Sequence, residues 1–190
     1  MMARRTLLAG ALLVSLSLGS VVLAHATAAS PQSYALKPSD LGSGYVVTGS
    51  AVVSNAAMAK KVGIPRAQFD RHGRISGYRI QLEQHSTADI AFSYIYTYKN
   101  ASGAHWDFTQ STAHDLKASG KPVATRKIGA ESLALTAQQK SGTLTVVFYV
   151  VDFRQGSVDN TVGVGGLKGK VNLAQAIHDA QIVAAREPTS

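Results

Sequence analysis

The residues with chemistry to offer are scattered histidines, serines and acids in a chain of 190 residues that contains no cysteine. Without cysteine there is no disulfide scaffold, thiolate zinc site, iron–sulfur cluster, thiol nucleophile or lipid-modified N-terminal Cys. His72, His85, His105, His114 and His178 are the remaining candidates for metal ligation, and they read as solvated surface histidines. His105 and His114 share a predicted helix, but nine steps of roughly 100° put them about 180° apart, on opposite faces. His105-Trp106-Asp107 has the wrong spacing for one helical face, and no His-Glu-x-x-His or EF-hand loop occurs. There is no Gly-x-Ser-x-Gly elbow for a serine nucleophile. The acids are dispersed, and none pair up as a glycosidase would need. Gly163-Val164-Gly165-Gly166-Leu167-Lys168-Gly169-Lys170 hints at a phosphate cradle. The Walker spacing fails at Val164 and Val171, and Lys168 breaks the dinucleotide pattern, so the stretch reads as a glycine-rich bend. A weak anion site at the start of the final helix, beside Lys168 and Lys170, is the alternative. The residues name no catalytic group, no metal ligand and no cofactor.

The distinctive polar feature is a basic stretch. Lys60, Lys61, Arg66, Arg71, Arg74 and Arg79 fall within 20 residues, opposed only by Asp70. Two readings stand: a solvated turn, or an anion-binding face for phospholipid heads or a polyanionic envelope polymer. No aromatic residues interleave in a nucleic-acid-binding pattern, so nucleic acid is not expected. Trp106 lies about 200° from Phe108 around the helix, off its apolar stripe. It either packs at the helix start or stands exposed as a ligand or partner contact.

The chain's first segment must be set aside before any fold argument. Arg4 and Arg5 precede an uncharged run from Thr6 to Leu23, and Ala24-His25-Ala26 is a small-x-small cleavage pattern. This is the layout of a signal peptide over residues 1–26, with an uncleaved membrane anchor as the alternative. Residues 27–35 read as a flexible leader, and 36–187 as a single domain. The chain has 19 basic and 11 acidic residues, a formal net charge of +8, and without Arg4 and Arg5 the exported protein, with 17 basic against 11 acidic residues and a net +6, is still basic.

The elements that would carry these residues are mostly strands. Tyr45 to Ser54 is rich in Val and Thr. Asn55 caps a short helix over 56–62, ended by Gly63 and Pro65, and residues 65–73 form a basic turn or irregular helix. In 75–84, Tyr78, Ile80 and Leu82 face one way and Arg79, Gln81 and Glu83 the other. In 90–99, Phe92, Tyr94, Tyr96 and Tyr98 share one face. Period-two alternation marks half-buried strands, and the short link predicts a hairpin. Ser102 caps a helix to about Ser119, with Ala104, Phe108, Thr112 and Leu116 as its apolar stripe. Val123 to Ile128 is a candidate edge strand, and Leu133 and Leu135 mark another strand. Thr143 to Phe153 is apolar on both faces, as a strand covered on both sides would be. After a turn at 154–157 comes a strand over 158–164. Asn172, with Gln175 three residues on, caps a final helix whose buried face is Leu173, Ala176, Ile177, Ala180, Val183 and Ala184.

Hairpins interrupted by one helix and closed by another predict the α+β class: a single, mostly antiparallel β-sheet with two main helices packed against it. The phrases Asp40-Leu41-Gly42-Ser43-Gly44-Tyr45, Gly73-Arg74-Ile75-Ser76-Gly77-Tyr78 and Val151-Asp152-Phe153-Arg154-Gln155-Gly156-Ser157, set in this order of elements, resemble the PsbP-like α+β group of small exported bacterial domains. That group includes secreted actinobacterial lipoproteins, although this chain lacks their lipidated Cys. The resemblance implies a non-catalytic secreted or envelope domain and carries over no site residues. The expected function is therefore a secreted or cell-envelope binding or sensor domain. Its site is either a groove between sheet and helix, holding a small apolar ligand, or the basic face. The alternatives are an envelope adaptor that binds another protein and an enzyme of unrecognised type.

Overall fold

The computed structural model describes residues 30–118 and 120–188, so the expected signal peptide and residues 27–29 lie outside the described residues. Seven strands form one sheet: β1 (Tyr45–Val52), β2 (Arg74–Gln84), β3 (Asp89–Tyr98), β4 (Lys121–Val123), β5 (Glu131–Ser141), β6 (Leu144–Gln155) and β7 (Val158–Leu167). Their order is β1-β2-β3-β7-β6-β5-β4, and every neighbouring pair is antiparallel. The helices are α1 (Pro31–Tyr34), α2 (Asn55–Val62), α3 (Arg66–Arg71), α4 (Ala101–Lys117) and α5 (Leu173–Ala184). The fold is α+β, as the alternation predicts. The sheet breaks sequence order once: α4 carries the chain from β3 across the sheet, and the β4–β7 meander returns to lay β7 beside β3.

The two faces of the sheet are covered differently. On one, Tyr78, Ile80 and Leu82 of β2, Ile95 of β3, Val151 and Phe153 of β6 and Val162 and Val164 of β7 meet α5 through Ala176, Ala180 and Val183, all buried. The cap Asn172 accepts from the Gln175 backbone N–H, and Gln175 returns a bond to the Asn172 N–H, the reciprocal arrangement its sequence foretold. The segment expected to be a leader over 27–35 is instead packed from Pro31 onward. Tyr34, Ala35 and Leu36 are buried in this core, and the Leu36 N–H donates to Ser93 Oγ at 3.0 Å. Arg186 holds the segment from the other chain end, donating to the Ala35 carbonyl at 2.8 Å and to Asp40 at 2.6 Å.

On the other face, β3 presents Tyr94, Tyr96 and Tyr98 to α2, α3 and α4 around Phe69, Met58 and Ala104. The sequence expectations for this face need four corrections. Asn100, not Ser102, caps α4, its side-chain oxygen accepting from the Gly103 N–H at 2.9 Å. Ser54, not Asn55, caps α2; the Asn55 amide instead bridges Asp70 and Arg74. The inward face of α4 runs through Gly103, Ala104 and Asp107, while Leu116 of the expected apolar stripe is 43% exposed. Strand β6 is covered unevenly: Val147, Val151 and Phe153 are buried on the α5 side, whereas on the α4 side Asp152 is buried but Phe148 and Val150 are only half-buried.

The expected glycine-rich bend at 163–169 is also a strand. β7 runs on through Gly163, Gly165 and Gly166 to Leu167 because large side chains of the flanking strands lie over it. A Cβ on Gly163 would collide with the Phe92 ring, and one on Gly165 would sit 2.6 Å from Phe148. Here glycine supplies space for neighbouring aromatics rather than a turn.

Candidate functional site

A groove opens where α4 stands over the sheet. One cavity of about 330 Å³ is bounded by Met58 of α2, Phe69 of α3, Tyr94 and Tyr96 of β3, and Asp107 and Ser111 of α4. A second, of about 280 Å³, is floored by Phe92, Phe148, Val150 and Leu135. Tyr94, Asp115 and Thr161 line both, so the two are halves of one trough along the face. Its local cause is the residue choice on α4. Gly103 and Ala104 bring the helix's first turns onto the sheet, and a Cβ at Gly103 would strike the His72 carbonyl. Further along, Ser111 and Asp115 face the floor in place of large apolar groups, so the second half of the helix leaves space beneath it. Phe92, Phe148 and Val150 therefore meet an opening instead of a helix.

The floor is aromatic and aliphatic, and the helix wall is acidic. In and behind the wall, acids gather that the chain order scatters: Asp107 of α4, which lines the cavity, and Asp152 of β6 and Asp159 of β7 behind it are all buried. Burial pushes the Asp152 carboxyl up to about 7, partly offset by the Thr161 hydroxyl, which donates to its Oδ1 at 2.7 Å. Burial also raises Asp159 well above the carboxylate range, and the neighbouring charges of Asp107 and Asp152 raise it further. Asp107 is raised by burial against the opposing pull of Tyr98 and Arg74. Oδ2 of Asp107, Oδ2 of Asp152 and both oxygens of Asp159 have no hydrogen-bond partner among the described residues. Tyr98 and Tyr96 are likewise held above their usual range, first by burial and then by the acids. Among the described residues, no group of three or more His, Asp or Glu is placed to hold a metal ion.

The basic stretch does not form one face. Arg74 points inward and is 4% exposed, donating to the Val53 carbonyl at 3.0 Å and to Asn55 at 2.7 Å. Its guanidinium lies 4.8 Å from the Tyr96 ring centre, behind the groove floor. Arg74 is therefore a core cation, and its place in an anion-binding face is corrected. Lys60, Arg66 and Arg71 are exposed on α2 and α3, with Arg66 tied to Asp70 at 3.3 Å. Lys61 and Arg79 go elsewhere: the Lys61 ammonium sits 5.1 Å over the Tyr94 ring, and Arg79 pairs with Tyr94 across β2 and β3. Lys61 thus lines the groove, and Arg79 stands beside Tyr94. Trp106 packs against its neighbours. It stacks on His72 at 4.2 Å with the rings 3° from parallel and meets Phe69 edge-on at 5.4 Å. His105 leaves the groove to pair with Glu131 at 2.8 Å, and Glu131 also holds Arg154.

No family model matches the chain, and neither does any curated protein sequence. Among solved structures, the extracellular domain of PknH from Mycobacterium tuberculosis matches with a TM-score of 0.51 and 12% identity, over 81% of this chain and 92% of that chain. The likeness is one of fold. No helix among the described residues is long and apolar enough to cross a membrane.

The groove residues were partly visible in sequence, since the Phe92–Tyr98 face is a plain alternation. The buried acids were missed. Their signal was present as Asp152 and Asp159 on the two arms of one hairpin, Asp152 between Val151 and Phe153 and Asp159 after Val158, where a strand rarely tolerates a charge.

Proposed function

We propose that this protein is an exported, non-catalytic binding or sensor domain whose ligand, a small and mainly apolar molecule, lies in the groove between α4 and the sheet. The observation that carries this reading is the continuous trough of two cavities, about 330 and 280 Å³, floored by Tyr94, Tyr96, Phe148 and Val150. Its size and composition are those of small-molecule sites, a mostly apolar lining with few polar groups. Four aromatic side chains from β3 and β6 face an opening that further packing would otherwise close. The fold shared with an extracellular domain and the signal-peptide layout of residues 1–26 support a place outside the cytoplasm.

Native mass spectrometry of the purified protein tests this, together with titration by the uncharged fluorophore N-phenyl-1-naphthylamine. The expected result is one bound small molecule or one saturable probe site, lost in Val150→Trp, which fills the trough. Equal probe binding by that variant would place the site elsewhere.

A further inference from the structure

The inner end of the groove says which head group such a ligand carries, an inference that rests on the groove being the binding site. The lining of the first cavity runs from exposed Lys61 and His114 to Phe69, Tyr96 and Asp107, which are 0%, 5% and 3% exposed and mark its inner end. At this inner end Asp107 is the lining residue with one oxygen, Oδ2, that receives no hydrogen bond, although the Tyr98 hydroxyl and the Asp159 carboxyl stand beside it.

The groups facing Asp107 come from each element packed around it. Asp159 stands on β7, Tyr96 and Tyr98 on β3, and Arg74 on β2. Arg74 is the single cation among them, and it lies behind Tyr96 and Phe69, outside the cavity lining. Farther along, Asp115 lines the wall and Asp152 lies behind it. The acids around the groove therefore outnumber the buried bases, and two of them, Asp107 and Asp115, line it. A buried carboxyl without a partner is costly, and a hydrogen-bond donor with positive charge relieves it most. An anionic head would meet acid at the end of an apolar channel.

We propose that the groove receives an apolar-bodied amine, its ammonium seated on the Asp107 carboxylate and its hydrocarbon portion lying along Tyr96, Tyr94 and the Phe148–Val150 floor. The aromatic rings add a further attraction for a cation on their faces.

Octylamine, octanol and octanoate share one chain and differ only in the head, so their titration against the protein, followed by calorimetry at sub-micellar concentration, decides the matter. Octylamine is expected to bind about tenfold or more tightly than octanol, and octanoate more weakly than both, the size of effect expected of a charge-assisted bond in an enclosed site. The net charge of +8 biases non-specific attraction the opposite way, toward octanoate. In Asp107→Asn, octanol binding should persist while the amine's advantage falls below about threefold. Octanoate or octanol binding as well as octylamine overturns the proposal and leaves the groove reading intact, as does an undiminished amine preference in Asp107→Asn. Binding of none of the three overturns both. The comparison on the parent protein decides the head group even if Asp107→Asn does not fold.

Discussion

The two faces of the sheet use the same strands and differ in what lies on them. Under α5, aliphatic side chains with Tyr78 and Phe153 close on the small residues Ala176 and Ala180 of the helix. Under α4, aromatics on the floor face a helix whose inward positions are Gly103, Ala104, Asp107, Ser111 and Asp115. A helix seats tightly where its inward stripe is apolar and complementary; one with a polar stripe holds itself off the sheet and encloses space. The face with the worse packing is the one with room for a ligand.

The contrast is sharpest for two phenylalanines on one strand. Phe153, fully buried on the α5 side, should cost about 3–5 kcal/mol when changed to Ala, as buried aromatics do. Phe148, half-buried over the groove, should cost about 1–2 kcal/mol because less of its area leaves water. Urea melts of both variants check this, and equal losses would mean that the groove is as well packed as the core.

A glycine test follows in size. Gly163→Val puts a branched side chain where the Phe92 ring lies, so an overpacking loss of about 1–3 kcal/mol is expected. Stability unchanged in thermal melts would show that Phe92 has open space to move into, and that the groove is wider than its lining suggests.

Acid titration reads the buried acids that both faces hold. Burial raises Asp152 to about 7 and Glu187, on the α5 side, to about 8. A carboxyl raised on folding holds its proton more tightly in the native state. Its stabilising contribution is therefore full below the unfolded value, near pH 4, and is lost as pH climbs through the folded value. The melting temperature should fall from about pH 4 toward about pH 8, and fall less in Asp152→Asn and in Glu187→Gln. Asp40 and Glu131, held low by Arg186 and Arg154 despite burial's opposing effect, work in the other sense below about pH 4. A curve flat across this window would mean that these buried acids are solvated.

The smallest effect is expected from the exposed bases. Arg66→Gln with Arg71→Gln should change stability by less than about 0.5 kcal/mol, since an exposed ion pair such as Arg66–Asp70 contributes little. Arg74→Gln should cost several times more, because it strips a buried cation from Val53, Asn55 and Tyr96. Similar losses from the two would return Arg74 to the surface.

Local pattern alone determined much of this protein. Alternation in Tyr78-Ile80-Leu82 and Phe92-Tyr94-Tyr96-Tyr98 fixed two strands and their inward faces, because the pleat has period two. Asn172 with Gln175 fixed the start of α5, since cap bonds span three residues. The missing cysteine settled which chemistries are excluded. Tertiary structure decided the rest, where distance in space replaces distance along the chain. Gly163 and Gly165 read locally as a bend, and only Phe92 and Phe148 on flanking strands make them a central strand. Arg74 reads as one of six surface bases until Asn55 and Tyr96 enclose it. Asp107, Asp152 and Asp159 lie up to 52 residues apart in the chain. They meet because α4 crosses the sheet where the β6–β7 hairpin lies beside β3, a register that non-local strand pairing sets and no short stretch of sequence encodes.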